Sequence, residues 1–117
     1  MKITILHNPR CSKSRAALAE AEACHAEIEI IEYLKDTPTV DELRSLIKRL
    51  GISASELVRR KESLYLEKYA GKKITEEKWL TILHKNPVLI ERPILIHGKK
   101  VVLGRSQEQL DRFFKLH

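Results

Sequence analysis

The chain has 117 residues, 43% hydrophobic and 32% charged, with 22 basic against 16 acidic side chains and a formal net charge of +6. That length suits a single compact unit with a real core, which excludes a disordered chain, and two cysteines exclude both a disulfide scaffold and a structural zinc site. The basic balance favours an anionic partner, leaving oxyanions, nucleic acid and acidic protein surfaces open.

Lys2 to Leu6 is short, β-branched and alternating, and it stops at Asn8-Pro9, which predicts a first strand. Ser12 to Ala23 is alanine-rich and predicts a helix that can approach a sheet closely. Glu27 to Tyr33, with Ile28, Ile30 and Ile31, predicts a second strand, completing a βαβ unit with parallel strands and a right-handed crossover. Thr39-Val40-Asp41-Glu42 is a capping box that opens a helix through Leu43, Leu46, Ile47 and Leu50, with Gly51 as its stop. Ser53-Ala54-Ser55-Glu56 reads as a second capping box, before a short helix with Leu57 and Val58. The helical pattern is weaker around Leu64, Leu66 and Tyr69; Thr75 then caps a helix through Trp79, Ile82 and Leu83 that ends at Asn86-Pro87.

Strand patterns return at Ile94 to Ile96 and Val101 to Leu103, joined by the hairpin signal His97-Gly98-Lys99-Lys100, before a last helix carrying Leu110, Phe113 and Phe114. The order is βαβ over residues 1–35, a helical insertion over about 38–86, and ββα over 87–117. This is an α/β arrangement of thioredoxin-like type: one domain with a mixed sheet whose halves are separated in sequence. No apolar run approaches the ~20 residues of a membrane span, and the N-terminus does not read as a signal peptide. The expected location is the reducing cytoplasm, with no membrane partner.

The chemistry concentrates in His7-Asn8-Pro9-Arg10-Cys11-Ser12-Lys13-Ser14-Arg15. Cys11 falls after a strand and at a helix start, where amide N–H groups and the helix dipole favour a thiolate. Arg10, Lys13 and Arg15 add positive charge, and His7 can do so when protonated. That setting favours a nucleophile over a core cysteine. A phosphatase loop of the Cys-x5-Arg kind does not fit, because the next arginine is Arg15; a dithiol Cys-x-x-Cys does not fit, because the fourth position is Ser14. Cys24 lies thirteen residues beyond Cys11, about 20 Å along a helix, past the reach of a disulfide. His25, His84, His97 and His117 show no metal-ligand spacing, so no metal is expected. Trp79 reads as a core anchor of the insertion.

The pattern His-x3-Cys-x3-Arg, present as His7, Cys11 and Arg15, resembles the glutaredoxin-coupled arsenate reductase family. The likeness runs through the chain: Tyr33-Leu34, Gly51-Ile52-Ser53 with Leu57 and Arg59, Asn86-Pro87, Glu91-Arg92-Pro93-Ile94 and Gly104-Arg105. The resemblance implies that Cys11 attacks arsenate or a similar oxyanion held by Arg59, Arg92 and Arg105, with Pro93 in the cis form. It further implies glutathione as co-substrate and glutaredoxin as partner, with no bound cofactor. Planar guanidinium forks suit tetrahedral oxyanions, and cations relieve the repulsion between a thiolate and an anionic substrate. Arg59-Arg60-Lys61 can also be read as a solvated helix end, and Asn8 either orients Cys11 or makes the turn with Pro9.

Two other functions compete. A sister branch of the same fold family binds RNA polymerase as a redox-sensing regulator, but normally with Cys-x-x-Cys where this chain has Ser14. Nucleic-acid binding is suggested by charge alone; the basic residues are dispersed, aromatics are 5%, and no recognition motif is present, so it ranks last.

Overall fold

The computed structural model describes residues 2–115, with backbone alone for Lys115. It divides into two compact units, one built from residues 1–36 and 92–117 and the other from 37–91.

The first unit contains β1 (Lys2–Leu6), α1 (Ser12–Ala23), β2 (Glu27–Ile31), and later β3 (Ile94–His97), β4 (Lys100–Leu103) and α5 (Gln107–Lys115). Its four-stranded sheet has the order β2-β1-β3-β4. β1 pairs in parallel with β2, from Lys2 opposite Glu27 to Leu6 opposite Ile31. It pairs antiparallel with β3, which forms an antiparallel hairpin with β4. Gly98 makes the hairpin turn at φ 57°, a conformation that costs glycine least.

β2 ends at Ile31, two residues before the predicted end at Tyr33. Both Lys35 and Asp36 donate to the Glu32 carbonyl, so the chain turns there and carries Tyr33 into a buried position. One core cluster lies on the face of the sheet that carries α1 and α5. Alternation along β1 buries Ile3 and Ile5, which join Leu95 beneath Ala17 and Ala21 of α1 and Leu110, Phe113 and Phe114 of α5. Short alanines let α1 sit close to the strands, and Ser14, Ala17 and Ala21 follow one another on its buried face at helical spacing. That register points Ser14 inward and leaves Lys13 and Arg15 exposed.

The second unit contains α2 (Val40–Leu50), a 3₁₀ turn Ala54–Leu57, α3 (Ser63–Lys68), α4 (Glu76–Lys85) and a 3₁₀ turn Pro87–Leu89. α4 packs against α2 and both 3₁₀ turns. The predicted capping box is complete: Glu42 N–H donates to Thr39 Oγ1 at 3.1 Å, and Thr39 N–H to Glu42 Oε1 at 3.0 Å. Gly51 ends α2 at φ 71°.

The second predicted box does not form. Ser53 makes no capping bond with its side chain, which instead meets the Ser55 hydroxyl at 3.0 Å. The Ala54 N–H is taken by the Glu76 carboxylate from α4, so a distant acid replaces the local cap. The insertion also runs five residues past its predicted end at 86, to Glu91. Val58 bridges Ile90, Arg59 N–H donates to the Leu89 carbonyl, and Glu91 N–H to the Leu57 carbonyl, tying the segment to the insert. Trp79 is buried, with the Tyr65 and Tyr69 rings at 6.3 and 5.6 Å. Among the described residues no helix is long and apolar enough to cross a membrane.

Gly104 N–H donates to the Pro93 carbonyl at 2.9 Å, joining the end of β4 to the start of β3. A Cβ at Gly104 would meet Leu110 Cδ2 at 2.8 Å and Leu95 and Pro93 at 3.1 Å. Gly104→Ala is therefore expected to destabilise the protein by about 1–3 kcal/mol through overpacking. Urea unfolding measures this; an unchanged midpoint would show that the neighbours yield without cost.

Candidate functional site

The loop between β1 and α1 and the first turn of α1 carry three buried polar residues, His7, Asn8 and Ser14. His7 leaves β1 with its N–H donated to the Ile31 carbonyl at 2.8 Å. Its Nδ1 lies 2.6 Å from Ser14 Oγ, and that same oxygen accepts the Asn8 N–H at 3.0 Å. Asn8 Oδ1 accepts the Arg10 N–H at 3.0 Å, and the Asn8 carbonyl accepts the Cys11 N–H at 3.0 Å. Asn8 thus makes the turn, its side chain accepting the Arg10 N–H and its carbonyl the Cys11 N–H. Arg15 Nη1 donates to the Pro9 carbonyl at 2.9 Å and clasps the loop from the other side.

Cys11 is the N-cap of α1, with extended backbone and no side-chain capping bond. Partial burial pushes its thiol up, but the Ser14 N–H, the Arg92 guanidinium and the Lys13 N–H outweigh it, so Cys11 ionises below the ordinary thiol value. The charge acting on the sulfur is that of Arg92, just before β3.

His7 contributes differently from a cation. Burial drives its pKa below the usual imidazole value, Arg15 lowers it further, and Glu32 only partly opposes them. The ring is neutral at pH 7 and acts through its bond to Ser14.

Arg92 is half-buried, and its Nε and Nη1 are inaccessible and have no hydrogen-bond partner among the described residues. Unpaired buried guanidinium nitrogens are costly, and they suit an anion with several oxygens. The Arg92–Pro93 peptide is cis, as the resemblance implies. Tyr33 adds a residue the sequence argument did not assign to the site. Burial raises its pKa, while the charge of Arg92 opposes the rise. Its sequence signals were an aromatic residue at the end of the second strand pattern and its place in the Tyr33-Leu34 pair.

Arg105 is exposed and follows Gly104, which is bonded to Pro93. Gln109 Oε1 accepts the Arg105 and Ser106 N–H groups at 3.0 and 3.1 Å, and Ser106 Oγ accepts the Gln109 N–H at 3.2 Å. This is a capping box, Ser106-x-x-Gln109, that sequence reasoning missed and that fixes the Arg105 backbone. Arg59 belongs to the inserted unit, where it is half-buried with Nε 3.7 Å from the Glu62 carboxylate. Cys24 is an exposed free thiol after α1. Among the described residues no group of His, Cys, Asp and Glu could hold a metal; His117 lies outside them.

Fold and site together define a thioredoxin-like protein with one thiol at the start of its first helix. The chain belongs to the ArsC family, whose model matches residues 6–113. It is 41% identical over 111 residues to "Uncharacterized protein YfgD" of Escherichia coli K12, covering 93% of each chain. It is 37% identical to an arsenate reductase of Neisseria meningitidis serogroup A, over 94% of this chain and 96% of that one. A solved structure, a putative arsenate reductase from Yersinia pestis, superposes with a TM-score of 0.87 at 37% identity, covering 97% of this chain and 98% of the other.

Because the Cys11 thiol is held below its usual value, its thiolate survives as pH falls through the ordinary thiol range. Iodoacetamide at pH 6.5, followed by peptide mapping, is expected to label Cys11 before Cys24. Ser14→Ala removes the hydroxyl that bonds His7 and Asn8, and should move the Cys11 alkylation profile to higher pH. Faster labelling of Cys24, or an unmoved profile, would contradict this account.

Proposed function

We propose that this protein reduces arsenate to arsenite through Cys11, in a reducing cytoplasm, with glutathione and glutaredoxin supplying the electrons. The supporting observation is Arg92: one guanidinium stabilises the Cys11 sulfur and keeps two buried nitrogens unpaired beside it. A thiolate and the anion it must attack share a cation there, which offsets their repulsion. The relatives named arsenate reductase support the substrate, and the absence of a second cysteine at position 14 supports an external thiol.

In the first step the Cys11 thiolate forms a bond to arsenic, and one arsenate hydroxyl takes up a proton and leaves as water. A glutathione thiolate then attacks the Cys11 sulfur. The sulfur–arsenic bonding pair departs with arsenic, reducing it from the +5 to the +3 state and leaving glutathione disulfide-bonded to Cys11. A glutaredoxin thiolate removes that glutathione and restores Cys11. Ser14 and the neutral His7 hold the first turn of α1, whose amide N–H groups stabilise the thiolate, through the cycle. The family resemblance adds Arg59 and Arg105 as oxyanion ligands, while Pro93 shapes the turn beside Arg92.

An arsenate-dependent assay with glutathione, glutaredoxin and its reductase tests the reading. Cys11→Ser should abolish turnover, and Arg92→Ala should lower kcat/KM by about 10- to 100-fold, the range of a charge-assisted hydrogen bond of roughly 1.5–3 kcal/mol. Arg92→Lys should recover only part, because it keeps the charge and loses the fork. Replacing Arg59 and Arg105 singly tests each assignment. Activity that survives in Cys11→Ser would remove the mechanism.

A further inference from the structure

The charged residues of α1 are placed against its dipole. α2 carries Asp41 and Glu42 in its first turn and Lys48 and Arg49 in its last; α4 carries Glu76 and Glu77, then His84 and Lys85. Both follow the electrostatic preference of a helix for anions at its start and cations at its end. α1 has no acid in its first turn and no base in its last. Lys13 and Arg15 sit at its start with Arg10 just before them, and Glu20 and Glu22 lie towards its end.

These cations are not spent within the protein in the same way. Arg15 is engaged by the Pro9 carbonyl. The side chains of Arg10 and Lys13 are exposed and make no hydrogen bond or ion pair with the described residues. The thiolate does not need them: the Ser14 and Lys13 amides and the Arg92 guanidinium stabilise it. Two exposed, unpaired cations therefore flank Cys11 at the preceding position and two residues beyond it, whereas the Arg92 nitrogens left for an anion are buried.

We propose that Arg10 and Lys13 form a carboxylate-binding collar that recognises the glutathionyl group as it joins Cys11. Glutathione is a thiol peptide with two carboxylates, and the collar offers two solvent-exposed cations within two residues of the thiol. It serves that group while the buried nitrogens of Arg92 serve the oxyanion. The assignment rests on the glutathione-dependent reading above and names the residues that would carry it. It also predicts selectivity in a reaction that involves no arsenic. When the Cys11 thiolate attacks oxidised glutathione, the disulfide bond breaks, one glutathione stays on Cys11, and the other leaves as a thiolate with no net oxidation.

The test uses the Cys24→Ser protein, in which Cys11 is the sole thiol. Rate constants for its mixed-disulfide formation are measured by intact mass with oxidised glutathione, neutral bis(2-hydroxyethyl) disulfide and cationic cystamine. The starting protein should react in that order of preference. Arg10→Gln combined with Lys13→Gln should lower the ratio of the glutathione rate to the neutral rate by about three- to ten-fold, with the neutral rate little changed. Lys72→Gln with Lys73→Gln removes the same net charge elsewhere and should leave the ratio in place. An unchanged ratio in the Arg10/Lys13 variant, or an equal fall in the Lys72/Lys73 control, overturns the collar. Charge selectivity without arsenate turnover would keep the collar and defeat the reductase reading; turnover without selectivity would do the reverse.

Discussion

The Ser14 side chain is the joint on which the site depends. Its oxygen takes the Asn8 N–H and meets His7 Nδ1, while its own N–H stabilises the Cys11 sulfur. One residue thus fixes the strand end, the loop and the helix start relative to the thiol. It can do so because it occupies the buried face of α1 together with Ala17 and Ala21. A larger side chain would hold the helix off the sheet, and alanine would leave the Asn8 N–H and His7 buried without that partner.

The electrostatics divide into an inner and an outer part. Inside, peptide N–H groups and a half-buried guanidinium lower the thiol pKa, and His7 stays neutral because burial outweighs the field of Glu32. Outside, Arg10 and Lys13 face water, where their charges are screened and act chiefly on what approaches. A local run of basic residues therefore does not all serve one function, although in sequence the residues look alike.

Elements governed by local chemistry were legible from the sequence. β1 and α1 have their predicted bounds, and the Thr39 box and Gly51 stop form as read. The errors arose where a distant group won. Glu76 caps Ala54 in place of the Ser53 box, and strand-like contacts at Val58 and Ile90 keep residues up to 91 in the insert. Within the site, the sequence pointed to Cys11 but read Ser14 only as the missing second thiol, not as a buried hydrogen-bonding residue. It could not reveal that Arg92 would act on the sulfur or that His7 would be neutral, since both follow from burial created by tertiary packing.

The placement of aromatic residues gives the two units separate optical signatures. The single tryptophan, Trp79, lies in the insert between Tyr65 and Tyr69, whereas Tyr33 is the only tyrosine of the sheet unit. Indole emission therefore reports on the environment of the insert, while far-ultraviolet dichroism averages over the helices of both units and the sheet. Coincidence of the two signals during unfolding would mean that the units melt cooperatively; separation would mean that the unit bearing Cys11 and the insert bearing Arg59 have stabilities of their own.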